Sequence, residues 1–272
     1  FAYGYSGSIV SMSNLISTVG VVGSDVTGVG TARYDLAACE FGGDKGIFAY
    51  GSAGAMSNLV SNSGVIATDV SGVGTARESP AACSYGGDKG IFGYGAGPVS
   101  MTNLVNNSGV VGSDVTGVGT ARRLLGACEY DDDKAIFAYG DTGSVSSLSN
   151  LVSNAGVVAT DVTGVGTARK QLAACTYGYD KGIFAYGSTG SNVSMSNLVS
   201  TSGVIASDVT GVGSARHELA ATQYGGDKAI FGYGYTSGRV SLSNLVSNAG
   251  VVATDTTGVG TARNVLAACS YN

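Results

Sequence analysis

Arginine is the chemically versatile residue that recurs most regularly in this sequence. The tetrapeptide Gly-Thr/Ser-Ala-Arg occurs six times, at Arg33, Arg77, Arg122, Arg169, Arg216 and Arg263. A guanidinium group presents a planar fork of donors that suits carboxylates, carbonyls and anions. We expect these arginines to form a structural ring in which each fixes its own repeat, with the aspartate eight residues upstream, such as Asp25 before Arg33, as candidate partner. The alternative is a ring that binds an anion near a central channel.

The positions next to these arginines change in every repeat, although their flanking residues barely change. The six pairs are Tyr34-Asp35, Glu78-Ser79, Arg123-Leu124, Lys170-Gln171, His217-Glu218 and Asn264-Val265. One connection per repeat also changes in sequence and length, and it contains Tyr5, Tyr235 and Arg239. A constant frame that carries varied loops is typical of a recognition surface. The alternative explanation is neutral drift at exposed positions.

We expect both variable sets to converge on one face, because alternate connections of an up-and-down sheet emerge on the same side. We call this the variable face. Its candidate ligand-binding residues are Tyr5, Tyr34, Asp35, Glu78, Arg123, Lys170, Gln171, His217, Glu218, Tyr235, Arg239 and Asn264. Tyrosines support this interpretation, since aromatic rings with a polar tip are favoured at contacts.

Catalytic and metal-binding residues are scarce. His217 is the single histidine, and the sequence identifies no partner that would orient it. Glu40, Glu78, Glu129 and Glu218 lie in separate repeats, so the paired acids of a glycosidase are not evident. The five cysteines lack Cys-x-x-Cys spacing and are expected to be free and buried. The sequence therefore predicts no enzyme, no metal site and no cofactor.

Fixed intervals divide the chain into six repeats of about 45 residues. The motif Ser/Thr-Asn-Leu always places its Asn 19 residues before the next framework arginine. The motif Asp-Lys-Gly/Ala-Ile-Phe-Gly/Ala-Tyr-Gly is complete five times, and the chain opens with the tail of a sixth copy, residues 1–4. Length varies only between this Tyr-Gly and the next Ser/Thr-Asn-Leu, which indicates a surface loop between packed elements.

Each repeat contains four short apolar or alternating segments with Gly-rich turns, which is typical of strands. Repeated six times, this pattern predicts an all-β, six-bladed β-propeller of four-stranded antiparallel blades, in a single domain of residues 1–272. The ring would close by pairing the N- and C-terminal strands in one blade, which removes exposed edges. The alternative is an open solenoid, which needs polar caps at both ends.

The order Arg-x-x-Leu-Ala, turn, Lys-x-Ile-Phe-x-Tyr-Gly resembles kelch repeats, which have an arginine before the inner strand and an Ile-Tyr-x-x-Gly-Gly type second strand. The Gly-Gly doublet is reduced here to Tyr-Gly, and the tryptophan of the fourth strand is absent. The uniform Gly-Val-Val-x-x-Asp-Val-Thr-Gly-Val-Gly-Thr-Ala-Arg is also similar to repeats of bacteriophage virion and tail-fibre proteins. The first resemblance implies a β-propeller, and the second implies a virion protein.

Charge and hydropathy narrow the functional classes. The net charge is −5, whereas a nucleic-acid binder needs a basic face. No apolar run approaches the ~18–20 residues of a membrane span. The leading interpretation is a non-enzymatic binding or structural module, extracellular or virion-associated, that recognises a protein or glycan receptor through the variable face. The alternatives are a purely architectural propeller that contacts other subunits of an assembly, and a propeller hydrolase.

Overall fold

The computed structural model describes residues 1–271 and is all-β, as the sequence predicts. Within these residues, 15 strands form five antiparallel sheets of three consecutive strands, and no helix is long and apolar enough to cross a membrane. The strands are β1 (Ala37–Phe41), β2 (Lys45–Ala49), β3 (Ser57–Val60), β4 (Ala81–Tyr85), β5 (Lys89–Gly95), β6 (Val99–Val105), β7 (Gly126–Tyr130), β8 (Lys134–Ala138), β9 (Ser149–Val152), β10 (Ala173–Tyr177), β11 (Lys181–Ala185), β12 (Ser196–Val199), β13 (Ala220–Tyr224), β14 (Lys228–Gly232) and β15 (Ser243–Val246).

In each of the first five repeats, three of the four predicted segments form strands. β1 alternates between buried and half-buried residues, which is the pattern of a strand with one face in the core. It pairs with β2 from Ala37 opposite Ala49 to Phe41 opposite Lys45. The middle strand, β2, is buried at every position after Lys45 because it has a partner on both sides. The two glycines at 42–43 have φ of 65° and 75°, which suits the tight turn between these strands.

Aromatic pairs join neighbouring repeats. The tyrosine of each Phe-Gly/Ala-Tyr-Gly segment packs edge-on against the phenylalanine of the next such segment, with ring centroids 5.2–5.4 Å apart. The pairs are Tyr3–Phe48, Tyr50–Phe92, Tyr94–Phe137, Tyr139–Phe184, Tyr186–Phe231 and Tyr233–Phe1. Such edge-to-face pairs add about 0.5–1.5 kcal/mol each beyond area burial. The last pair connects the fifth repeat to the residues at the start of the chain.

The prediction of a six-bladed ring of four-stranded blades is wrong. Among residues 1–271 the five sheets have three strands each, and none of them closes on itself. The fourth predicted segment does not form a strand because a side chain interrupts its ladder. Asn58 Nδ2 donates to the carbonyl of Ala67 at 3.0 Å and to Asp69 Oδ1 at 2.9 Å. Only single backbone pairs remain beside the third strand, such as Ser57 with Val70.

The terminal segments do not form the predicted closing blade. Ala2 pairs singly with Ala267 and with Ser13, and Tyr5 pairs with Asn264. The sixth copy of the second-strand motif consists of residues 1–4 alone, which is too short to supply the alternating hydrogen bonds of a continuous ladder. The two ends of the described chain therefore meet through isolated backbone pairs and side-chain packing, not through a sheet.

The first strands surround a narrow central channel. β1, β4, β7, β10 and β13 contact one another in that order, and residues 268–270 complete the lining of a cavity of about 60 Å³ at mid-channel. Each first strand runs from its framework arginine toward its Asp-Lys turn. The channel therefore has an arginine end, where the variable pairs lie, and a turn end.

Candidate binding face

At the arginine end, the second residues of the variable pairs form a closed cycle of backbone hydrogen bonds. The N–H of each donates to the carbonyl of its counterpart in the preceding repeat at 2.8–3.3 Å, through Asp35, Ser79, Leu124, Gln171, Glu218 and Val265. All have φ between 49° and 57°, a region that non-glycine residues seldom adopt. One hydrogen bond between each pair of neighbouring repeats holds this strained backbone in place. Such a cycle of single hydrogen bonds is not a β-sheet.

The first residues of the variable pairs bond to the variable loops. In four repeats the contact is a reciprocal pair of backbone hydrogen bonds of 2.8–3.1 Å, joining Arg123 to Asp141, Lys170 to Ser188, His217 to Tyr235 and Asn264 to Tyr5. The carbonyls of Tyr34 and Glu78 accept one bond each, from Ser52 and Ala96. The structure therefore brings both variable sets together at the arginine end, while their role in binding stays a prediction.

Glu218 lies at the centre of a polar network on this face. Its Oε1 accepts a hydrogen bond from Gln171 Nε2, and its Oε2 accepts one from Asn264 Nδ2 at 2.6 Å. His217 Nε2 lies 3.9 Å from the same carboxylate oxygen. The participants come from three consecutive repeats, so packing of the repeats, rather than local sequence, assembles the network.

Two tyrosines and an arginine lie beside this network. The Arg239 guanidinium lies over the Tyr5 ring, 4.4 Å from its centroid, and Arg239 Nε donates to Asn264 Oδ1 at 3.2 Å. The rings of Tyr5 and Tyr34 have centroids 6.4 Å apart. Both tyrosines and Arg239 are partly exposed. Apolar ring faces therefore border a set of oriented amide, carboxylate and guanidinium groups.

His217 has a fixed ring orientation. Its Nδ1 lies 2.6 Å from Asn192 Oδ1, and because an amide oxygen can only accept, Nδ1 is the donor. Asn192 Nδ2 in turn donates to the carbonyl of Thr236 at 2.9 Å, and the His217 and Tyr235 rings are 5.5 Å apart. Sequence reasoning missed Asn192, although its position in a variable loop was an available signal.

Asp141 is a second member of the face that sequence reasoning missed. Its carboxylate accepts a hydrogen bond from Lys170 Nζ at 2.7 Å and lies 3.8 Å from Arg123 NH2. The bond from Lys170 holds the pKa of Asp141 below its ordinary value. Asp141 is 3% exposed, so it positions the two cations rather than meeting solvent itself. Its position in a variable loop is the sequence feature that could have identified Asp141 as a member of the face.

Asp35 lies at the mouth of the channel, where the six second residues line a cavity of about 80 Å³. Burial raises the pKa of Asp35 to about 6, and the charges of Glu218 and Glu78 contribute to the rise. Carboxylates from two other repeats therefore act on Asp35. Asp35 binds a proton at a higher pH than an ordinary aspartate does.

The framework arginines are 0–5% exposed and clamp their own repeats. Arg216 donates from Nε to the carbonyl of Tyr233 at 2.9 Å, from NH1 to the carbonyl of Ser214 at 3.2 Å, and from NH2 to Asn244 Oδ1 at 2.6 Å. Its guanidinium lies 4.2 Å from the centroid of the Tyr186 ring in the preceding repeat. This burial gives the alternative of an anion-binding ring no support.

The carboxylate near each clamp differs from the predicted partner. Arg216 NH1 lies 3.8 Å from Asp255, the aspartate that follows the third strand of the same repeat. The predicted partner, Asp208, instead accepts hydrogen bonds from the backbone and hydroxyl of Thr167. The prediction that an aspartate lies near each arginine is correct for Arg216, but the aspartate belongs to the same repeat and not to the preceding one. Distance along the chain does not give distance across a sheet.

At the turn end, Glu40 and Glu129 line one cavity of about 200 Å³, although the sequence gives no reason to pair them. Glu40 Oε2 accepts hydrogen bonds from Gln223 Nε2 at 2.8 Å and Ser270 Oγ at 2.7 Å. Burial raises the pKa of Glu129 to about 8, and the charge of Glu40 contributes. Burial also raises the pKa of Glu40, which the two hydrogen bonds oppose. The sequence feature that could have identified this pair is that the residue following each Cys, or Thr222 in the fifth repeat, differs between repeats.

The five cysteines line the cavity at mid-channel, and none of them forms a disulfide among residues 1–271. Burial raises the pKa of the Cys39, Cys83, Cys128 and Cys175 thiols, so they are unreactive at neutral pH. Cys269 is partly exposed, unlike the other four. Among residues 1–271, no three His, Cys, Asp or Glu side chains are grouped so as to hold a metal ion.

Comparison with known proteins does not assign the chain to a family. No protein-family model matches the chain, and no curated protein matches it. The resemblances to kelch repeats and to virion proteins therefore stay predictions that rest on the motifs alone.

Proposed function

We propose that this chain is a non-enzymatic binding or structural module of a virion or cell exterior, which recognises a glycan or protein receptor through the variable face. The observation that supports it is the group of Tyr5, Tyr34, Glu218, Arg239 and Asn264, drawn from different repeats. Their bonds to one another fix their orientation before any ligand arrives. Preorganised side chains lose little further freedom on binding, which favours affinity.

The chemistry of this group suits a sugar. The Tyr5 and Tyr34 rings offer apolar faces to the C–H groups of a pyranose, as at other aromatic contacts. The Arg239 guanidinium offers donors and the Glu218 carboxylate offers acceptors to its hydroxyls, and a few convergent polar groups are enough to fix orientation. Asn264 is buried and orients both side chains. A protein receptor would use the same tyrosines as anchors.

We expect Tyr34→Ala, Lys170→Ala and Tyr235→Ala to weaken receptor binding, with a loss of about tenfold or more for each tyrosine. Truncation of an aromatic anchor commonly costs more than about 1.4 kcal/mol, which is a tenfold change in Kd. The measurement is a screen of glycans and host-surface proteins, followed by Kd determination for each hit with the wild-type chain and the three variants.

Two residues at the turn end provide matched controls. Tyr179 is 66% exposed, and Lys181 forms an exposed ion pair with Asp180. Tyr179→Ala and Lys181→Ala should bind like the wild type. Unchanged binding in all three variable-face variants would exclude this face as the receptor site, and equal losses in the controls would indicate a general effect on folding.

The alternative of a purely architectural module predicts a different result. Receptor screens would then find no ligand, while residues of the variable face would be buried against other subunits in the assembled particle. Cross-linking from Cys introduced at Tyr235 distinguishes the two, because a receptor and a neighbouring subunit give products of different composition.

One observation favours a hydrolase as a second candidate. Glu40 and Glu129 share a cavity, and glycosidases use a protonated acid near a second carboxylate. The cavity of about 200 Å³ is smaller than the ~300–1,000 Å³ of typical small-molecule sites. We therefore expect no turnover of aryl glycosides between pH 5 and 8. Turnover that disappears in both Glu40→Gln and Glu129→Gln would overturn the non-enzymatic proposal.

A further inference from the structure

Arg123 and Lys170 converge on one carboxylate at the arginine end, although they belong to neighbouring repeats. Lys170 Nζ donates to Asp141 Oδ2 at 2.7 Å, and Arg123 NH2 lies 3.8 Å from the same oxygen. The other carboxylate oxygen accepts the backbone N–H of Gly143 at 2.8 Å. Asp141 is therefore fixed in its loop, and it sets the places of both cations on the variable face.

The charges of this group do not cancel. Two cations share a single carboxylate, so one positive charge is left over. Among the ion pairs of residues 1–271, Asp141 is the only carboxylate that lies near two cations. At the turn end, by contrast, Lys89 and Lys181 each pair with the one aspartate that precedes them. The left-over charge is therefore a local feature of the variable face.

The repeat itself does not require these three side chains. No other variable loop has an acidic residue at the position of Asp141. The backbone bonds between loop and variable pair also form without them, because His217 and Tyr235 make the same reciprocal pair as Arg123 and Asp141. The three charged side chains are therefore an addition to one part of the face and not a component of the scaffold.

Both cations keep unused hydrogen-bond donors. An ammonium group has three donors, and the bond to Asp141 uses one of those on Lys170. The 3.8 Å from Asp141 to Arg123 NH2 is beyond a hydrogen bond, so the planar guanidinium fork stays available. The side chains of Arg123 and Lys170 are 45% and 32% exposed, whereas that of Asp141 is 4% exposed. A ligand therefore meets the cations and not the carboxylate.

The cation pair adjoins the polar network of Glu218. Gln171, the residue after Lys170, donates its side-chain amide to Glu218 Oε1. Asn264 connects the other oxygen of Glu218 to Arg239 and the tyrosine beneath it. Consecutive residues lie about 3.8 Å apart between Cα atoms, so the cation pair and the group that suits a sugar are neighbours on the same face.

We propose that Arg123 and Lys170 form a subsite for the carboxylate of an acidic sugar. This inference rests on the proposed glycan-binding function and names the class of glycan. The two oxygens of a carboxylate match the planar fork of Arg123, and Lys170 donates to the same group from the neighbouring repeat. A single negative charge neutralises the positive charge that Asp141 leaves over.

The acids at the channel mouth restrict where this carboxylate can lie. Burial raises the pKa of Asp35 to about 6, the charges of Glu218 and Glu78 add to the rise, and Arg123 opposes it. An anion placed toward the mouth meets these like charges, whereas one placed between Arg123 and Lys170 meets opposite charges. We therefore expect the carboxylate on the loop side of Arg123, away from the mouth.

The direct test is an array of matched glycans, each printed in three forms that carry a neutral hydroxymethyl group, a carboxylate or a sulfate ester at the same carbon. We expect the carboxylated form to bind about tenfold or more tightly than the neutral form, with a preference that declines as salt screens the exposed charges.

The outcomes of the array separate this inference from the proposed function. Equal binding of the neutral and carboxylated forms, or a preference for the sulfate ester, would overturn the subsite and leave glycan recognition standing. Binding of a protein receptor and of no glycan would also overturn the subsite. Failure to bind any glycan or protein would refute both the subsite and the proposed receptor recognition.

Arg123→Ala tests the subsite with little risk to folding, because the bond from Lys170 to Asp141 stays in place and the buried carboxylate keeps a partner. We expect the affinity for the carboxylated glycan to fall about tenfold or more and the affinity for its neutral form to stay the same. Arg123→Lys, which keeps the charge, should recover part of the loss.

Lys181→Ala is the matched control, since it removes the same unit of charge from an ion pair at the turn end. It should bind both glycan forms like the wild type. An equal loss in Lys181→Ala would indicate an effect of overall charge, and an unchanged preference for the carboxylate in Arg123→Ala would exclude Arg123 from the contact; either result would overturn the proposal.

Discussion

Arg216→Ala is expected to lower the free energy of unfolding by about 3–5 kcal/mol, since breaking a buried charged network leaves its partners unsatisfied. The guanidinium makes three hydrogen bonds of 2.6–3.2 Å that tie together the start of the repeat, its middle strand and its third strand. Its removal would leave Asn244 Oδ1 and two carbonyls buried without this donor, and would uncover the Tyr186 ring. The measurement is equilibrium unfolding in urea, with the midpoint and slope fitted together.

Two further variants keep this prediction testable if Arg216→Ala does not fold. Arg216→Lys keeps the charge but cannot supply the fork of donors, and we expect roughly half of the alanine effect. Lys228→Ala removes a cation of the same repeat from an exposed ion pair with Asp227, and exposed pairs of this kind contribute little to stability. A loss in Arg216→Lys no larger than in Lys228→Ala would show that the arginine does not clamp the repeat.

The second large effect is a dependence of stability on pH that comes from Glu129. Burial raises the pKa of this carboxyl group from 4.5 to about 8, with Glu40, Asp132 and Asp133 adding to the rise. The folded state therefore holds a proton that the unfolded state releases near pH 4.5. Stability from this group is fully present below about pH 4.5 and is lost as the pH rises to about 8. With about 1.36 kcal/mol per pKa unit and partial solvent screening, we expect a loss of about 2–4 kcal/mol.

Glu129→Gln isolates this contribution, because glutamine has the shape of the protonated acid and does not titrate. Unfolding free energies of the wild type and the variant should converge below about pH 4.5 and differ most at about pH 8 and above, where the variant is more stable. Glu40→Gln should make this loss smaller and end it at a lower pH, since it removes a neighbouring negative charge that raises the pKa of Glu129. Parallel curves for the wild type and Glu129→Gln would refute the assignment.

The sequence predicted four strands per repeat, which is wrong, but it determined by itself the repeats, the all-β class and the place of the variable loops. These properties depend on local spacing: the alternation in β1 predicts one buried face, and the constant intervals separate packed segments from the loop. The framework arginines were also predictable as structural residues, because a charged residue repeated in an apolar context requires a partner.

Tertiary structure alone decided the fourth segment, the sixth repeat and the composition of the sites. Asn58 competes with the backbone for the carbonyl of Ala67, and this competition depends on the third strand and the following turn meeting in space. Glu40 with Glu129, and Glu218 with Gln171 and Asn264, are neighbours only because the first strands of different repeats surround one channel. Hydrogen bonding and electrostatic coupling act over a few ångströms, and sequence separation does not report that distance once the chain is folded.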